Sequence, residues 1–176
     1  SGAHYITVDD NGQHKQIFHD EFNSGDTKEV IEALKNLKSK FGLIPHTTEE
    51  DQIQDRGSQI TFSVLGRNAK LEAKNHYDYN GQKRRNFISF LKTILGSKKY
   101  EYAIGGTTSI DVTKKYINKG SSILKFLEIN KYDVDDIFFY GDQIKHYGND
   151  LPIMNIGIKY MNVVNVNDTL EKLKKL

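Results

Sequence analysis

Between residues 4 and 18, apolar and polar side chains alternate on either side of Asp9-Asp10-Asn11-Gly12. That is the pattern of two short antiparallel strands joined by a turn in which Asn-Gly supplies positive φ angles. From Thr27 to Phe41 the period changes, and Val30, Ile31, Leu34, Leu37 and Phe41 recur at three- and four-residue steps among lysines and glutamates. This predicts an amphipathic helix capped by Asp26 or Thr27. Residues 45–57 are polar, contain Pro45 and Gly57, and read as a loop; residues 60–64 alternate like a half-buried strand. A second helix over about 82–95 carries Phe87, Phe90, Leu91 and Ile94 on one side. Residues 100–104 and 108–112 read as strands around Gly105-Gly106, a hinge or bulge.

Beyond Val112 the pattern is different. Residues 121–129 are helical, 136–140 form a continuous apolar strand, and 156–160, 163–166 and 168–176 read as strand, strand and helix. Apolar strands that alternate with helices predict a parallel sheet covered on both faces, whereas the first two-thirds predicts an antiparallel α+β unit. Two architectures therefore share one chain.

Composition narrows the partners. The 176 residues include 25 Lys+Arg and 23 Asp+Glu, a net charge of +2, so no large field points to nucleic acid or an anionic membrane. No apolar stretch approaches the roughly 18 residues of a membrane span, and the first residues do not resemble a signal peptide. The absence of cysteine excludes disulfides, a thiol nucleophile and thiolate metal sites, and suits a reducing, cytoplasmic setting. The six histidines lack metal-ligand spacing. His146, in the loop after residue 142, reads as a surface residue, and Lys83-Arg84-Arg85 as a solvated helical face.

The chemistry concentrates in one segment. Phe138-Phe139-Tyr140-Gly141-Asp142 is an apolar strand ending in Gly-Asp, followed after five residues by Gly148-Asn149-Asp150. A carboxylate at the C-terminal end of a parallel strand lies where open α/β sheets bind ligands, and a second acidic group in the next loop suits an oxygen-only magnesium site. Lys119-Gly120 opens a helix and brings an ammonium to free backbone N–H groups, which together neutralise a phosphate.

With Asp111, these residues resemble the second half of a haloacid dehalogenase superfamily phosphotransferase, and within that superfamily the eukaryotic-type phosphomannomutases. The gap between Gly141-Asp142 and Gly148-Asn149-Asp150 is similar to theirs. So is the order of Arg56, Gly57, Ser63, Gly66 and Arg67, as is Gly105-Gly106 leading to Ser109-Ile110-Asp111-Val112. The resemblance implies an α/β fold, a partial Rossmann-like core with an inserted α+β cap of the C2 type. Residues 1–20 would be a core-edge hairpin, 21–110 the cap, and 111–176 the C-terminal part of the core. It also implies roles: Asp142 as the magnesium ligand, with Asn149 and Asp150 supporting the metal shell and orienting Lys119, which offsets phosphoryl charge. Arg56 and Arg67 would grip a sugar phosphate, and Ser109 and Asp111 would bind its hydroxyls or the hinge-side phosphate.

The sequence departs from that family at one point. The strand ending in Asp-x-Asp-Gly-Thr, whose first Asp becomes the aspartyl phosphate, is absent. Asp9-Asp10-Asn11-Gly12 is no substitute, because Asn11 stands where the second acid is needed and no βα crossover follows. The expectation is a chain that lacks the first βα units of such an enzyme. Its function is then a magnesium-dependent phosphatase or phosphomutase acting on a sugar phosphate, in which this chain alone is inactive. The alternatives are a non-catalytic sugar-phosphate-binding protein, or one half of a two-chain enzyme. The partners expected besides the substrate are a second copy or a complementing chain.

Overall fold

In the computed structural model, which describes residues 2–144 and 148–175, the alternating segment folds as β1 (His4–Val8) paired antiparallel with β2 (His14–His19). Asp9 Oδ1 accepts the N–H groups of Asn11 at 2.9 Å and Gln13 at 2.8 Å, so this carboxylate organises the turn. The chain divides into two compact units, one of Ala3–Ile117 and one of Asn118–Leu176 with Gly2.

In the first unit, α1 (Ser24–Phe41) begins three residues earlier than its apolar stripe predicts. The cap is Asn23, whose side chain accepts the N–H of Asp26 at 2.8 Å. Gly42, at φ 60, closes the helix in the left-handed conformation. A four-stranded antiparallel sheet follows in the order β3 (Ile53–Asp55), β4 (Gln59–Ser63), β6 (Ser109–Lys114), β5 (Tyr100–Gly105). Within residues 45–57, read as a loop, β3 is too short to show a period. Between β4 and β5 lie α2 (Leu71–Tyr77) and α3 (Gln82–Leu95). The short α2 buries no residue, which leaves it without an apolar stripe to announce it.

Strand alternation gives this sheet two unlike faces. Ile60, Phe62, Ile110 and Val112 are fully buried in the core with Val30, Leu34 and Leu37 of α1 and Phe87 and Leu91 of α3. On the other face Gln59, Thr61 and Ser63 of β4 stand beside Ser109 and Asp111 of β6, in the register Thr61 opposite Asp111 and Ser63 opposite Ser109. The first unit runs to Ile117. Its strand β6 is hydrogen-bonded between β4 and β5 to Lys114 and cannot be divided without breaking both ladders.

In the second unit, α4 (Lys119–Asn130) starts at a reciprocal cap in which Asn118 Oδ1 accepts the Ser121 N–H and Ser121 Oγ accepts the Asn118 N–H, both at 3.1 Å. Strands β7 (Phe138–Gly141) and β8 (Lys159–Asn162) pair in parallel, and between them lies the short α5 (Leu151–Met154). The strand expected over 163–166 does not form. Instead Asn165 caps α6 (Val166–Leu173) and the Asp168 carboxylate accepts the Val164 N–H, so these residues make a helix start. All four residues of β8 are exposed.

Candidate active site

The first constellation is built around Asp150. The capped start of α4 puts Lys119 at the helix's first position, and its Nζ donates to Asp150 Oδ1 and, at 3.4 Å, to Asn149 Oδ1. Asp150 Oδ2 accepts the Gln143 N–H at 3.0 Å, and the Asp150 N–H returns to the Gln143 carbonyl at 3.1 Å. Asp150 is only 1% exposed, and the hydrogen bonds on its carboxylate and on the Lys119 ammonium are charge-assisted, the strong class. Glycines make the approach possible. A Cβ at Gly141 would lie 2.6 Å from Asp150 Oδ2, and one at Gly148 would lie 1.9 Å from the Gln143 carbonyl oxygen. Gly-Asp and Gly-Asn-Asp are thus a packing requirement of this loop as well as a source of acids.

Asp142, at the end of β7, is exposed, and Gln143 Nε2 lies 3.5 Å from its Oδ2. Its own carboxylate, that of Asp150 and the Asn149 amide supply hard oxygens, the right kind for magnesium. Asp142 is the carboxylate most open to an ion, since both oxygens of Asp150 are engaged. Among the described residues no group of three or more His, Cys, Asp or Glu side chains is gathered to hold a metal. His146 lies outside the described residues.

The second constellation is the polar face of the first unit's sheet. Gln59 Nε2 donates to Thr61 Oγ1 and Thr61 Oγ1 donates to Asp111 Oδ1, each at 2.8 Å. Burial pushes the Asp111 carboxyl up; the Thr61 hydrogen bond and the Arg56 charge draw it back only in part. Ser109, two residues away on the same face, pairs across the sheet with both Ser63 and Gly105. Arg56 sits in the tight connection before β4, its N–H on the Gln59 carbonyl at 2.9 Å and its Nη2 on Gln54 Oε1 at 2.7 Å. Arg67 follows β4, with its N–H on the Asp51 carbonyl at 2.9 Å and its guanidinium 62% exposed. Lys74 of α2 donates to the Arg67 carbonyl.

The structure therefore brings Lys119, Asn149 and Asp150 together with Asp142 nearby in sequence, and separately groups Ser109 and Asp111 with the charge of Arg56. Sequence reading missed Thr61 and Gln59, although Gln59, Thr61 and Ser63 alternate with Ile60 and Phe62 and so mark one polar face. It also misplaced Arg84. This residue is 3% exposed, because its guanidinium is enclosed by Asp78 and a turn distant in sequence. No helix is long and apolar enough to cross a membrane among the described residues.

Comparison with known proteins adds a family. Residues 13–176 match the eukaryotic phosphomannomutases. The chain is 30% identical over 131 residues to a phosphomannomutase of Schizosaccharomyces pombe, covering 70% of this chain and 49% of that protein. It is 31% identical over 129 residues to phosphomannomutase 1 of Dictyostelium discoideum, covering 70% and 51%. The chain thus spans about half the length of the curated relatives it matches. In fold it is similar to an N-terminally truncated, IMP-bound Plasmodium falciparum IMP-nucleotidase, with a TM-score of 0.63 at 21% identity over 97% of this chain and 44% of that one. A similar fold is found in SMU.1108c of Streptococcus mutans, with a TM-score of 0.59 at 12% identity over 97% of this chain and 66% of that one.

Proposed function

The chain belongs to the eukaryotic phosphomannomutase family, and on that premise we propose that it carries the sugar-phosphate-binding face and part of the catalytic core of a magnesium-dependent phosphotransferase. The observation that carries the proposal is the buried Asp150 carboxylate holding Lys119 beside Asn149, one loop away from Asp142 at a strand end.

In this reading Asp150 is the counter-charge that fixes the Lys119 ammonium in place, and Lys119 offsets negative charge on a phosphoryl group as it moves. Asp142 would hold Mg²⁺, with Asn149 and Asp150 supporting its shell; bound there, the ion would neutralise phosphoryl charge as a Lewis acid. Arg56 and Arg67 bind phosphate through guanidinium forks. Ser109 and Asp111 take sugar hydroxyls, and Thr61 holds Asp111 for that task. The Asp-x-Asp-Gly-Thr motif is not among these 176 residues, so in this reading turnover would need a carboxylate from further chain or from a second polypeptide. The exposed strand β8 fits either source, because a parallel strand ordinarily has covered faces, and one half of a two-chain enzyme is the second reading.

Calorimetric titration of the chain with mannose 6-phosphate, with and without Mg²⁺, tests the proposal. We expect saturable binding that weakens at least about tenfold in Arg67→Ala, a cost of about 1.4 kcal/mol. No heat at millimolar ligand overturns it.

A further inference from the structure

A buried ion pair lies outside both constellations. Arg84 and Asp78 are 3% and 4% exposed, and Arg84 Nε donates to Asp78 Oδ2 at 2.8 Å while its Nη2 donates to the Asp78 carbonyl at 3.0 Å. The carboxylate also accepts the N–H groups of Lys83 at 2.9 Å and Arg84 at 3.0 Å. It therefore serves as a cap at the start of α3, where Gly81 has no side chain to do so. The remaining arm of Arg84 reaches elsewhere. Nη1 donates to the carbonyls of Gly106 at 2.8 Å and Gly105 at 3.2 Å, the turn between β5 and β6.

That turn leads into the polar face. Gly105 pairs with Ser109, and a Cβ on Gly105 would stand 2.8 Å from Asp111 Oδ2, so the Asp111 carboxylate lies against this glycine. The backbone that Arg84 grips is thus the backbone on which Asp111 rests. Two consecutive glycines have the largest conformational freedom of any dipeptide, so residues 105 and 106 define a surface only if something outside the turn restrains them. Beyond the ladder pairing of Gly105 with Ser109, two restraints act on the turn from outside it. The Val64 N–H holds the Thr108 carbonyl at 3.1 Å, and Arg84 holds the two glycine carbonyls.

We propose that Arg84 is a positioning residue: its guanidinium clamps the Gly105-Gly106 turn to the start of α3 and thereby sets the placement of Ser109 and Asp111. Only a planar fork with several fixed donors spans Asp78 and both carbonyls at once; an ammonium keeps the charge and gives up the span. The consequence for ligand rests on reading Ser109 and Asp111 as the sugar contacts.

The test is Arg84→Lys in the full chain, read by amide hydrogen exchange and by calorimetry with mannose 6-phosphate and with inorganic phosphate. We expect exchange at residues 106–109 to rise at least about tenfold while the middle of α3 and strand β4 keep their protection. Affinity for mannose 6-phosphate should fall about tenfold and that for inorganic phosphate by less than about twofold. Unchanged exchange in the turn overturns the clamp. So does an equal loss of both ligands, or exchange that rises throughout the unit, since either marks a purely structural residue. If Arg84→Lys does not fold, the charge-neutral pair Asp78→Asn with Arg84→Gln carries the same readouts without orphaning a charge. If the wild-type chain binds no mannose 6-phosphate, the reading of the sugar contacts fails. The clamp is then judged on exchange alone, where loosening confined to the turn supports it and no loosening overturns it.

Discussion

The two units solve the problem of burying a sheet in opposite ways. The first unit closes one face of an antiparallel sheet with two helices and leaves the other face polar, so that an apolar core and a polar hydrogen-bonded network are the two sides of the same strands. The second has a two-stranded parallel sheet, with Phe138, Tyr160 and Met161 exposed. Antiparallel strands tolerate one polar face; parallel ones ordinarily need both faces covered. The polar face of the first unit therefore rests directly on its core, whereas the Lys119–Asp150 pair of the second depends on a local network of caps, close-packed glycines and hydrogen bonds.

The largest effects should separate the two units by packing. Phe62→Ala, in the fully buried core of the first unit, is expected to cost about 3–5 kcal/mol in urea denaturation. Ile153→Ala, also fully buried, should fall near the lower end of the usual Ile→Ala range, about 2 kcal/mol, because the thin second unit can relax around the gap. Equal costs would show that the second unit is as tightly packed as the first.

A smaller effect contrasts two carboxylates within the first unit. Burial pushes Asp78 up, but hydrogen bonds from Arg84 and two backbone N–H groups, with the Arg84 charge, outweigh it and hold this acid below its ordinary value. Its contribution to stability is present above the unfolded carboxylate value, about pH 4, and is lost as pH falls through the lower folded value. Asp111 has the opposite sign. Its folded value is raised, so the folded state binds the proton more tightly and stability declines as pH rises from about 4 through that value. Asp111→Asn should therefore melt higher than wild type at pH 7, by an amount that shrinks on acidification. A gain independent of pH would mean that ionisation of Asp111 carries no such cost.

The smallest contrast concerns helix caps. Removing the cap hydrogen bond in Asn23→Ala or Asn165→Ala costs about 1 kcal/mol at each helix. In the first case we expect the cost in the global denaturation midpoint, since α1 is part of the sealed core. In the second we expect it as faster amide exchange in α6, which buries no residue, with little change in the midpoint. A global shift from Asn165→Ala would show that α6 is integral to the second unit's cooperativity.

Period alone made much of this molecule legible. The turn at Asp9-Asp10-Asn11-Gly12, the stripe of α1, the sheet strands on either side of Gly105-Gly106 and the parallel character of the last third follow from local alternation, because each such element must present its apolar side chains on one face. Motif spacing likewise located Lys119, Asn149 and Asp150 in one group, since a capped helix start and a glycine-bearing loop are local structures. The helix start at residues 163–166 is also local, set by Asn165 and Asp168 within four residues of the groups they cap, yet period alone overlooked it. Two things were settled only by tertiary structure. The burial of Arg84 depends on a turn some twenty residues away. The Gln59 and Thr61 relay onto Asp111 depends on the register between β4 and β6, fifty residues apart. In each case the deciding energy is that of satisfying a buried or terminal polar group, and the sequence names the group but not the partner that folding brings to it.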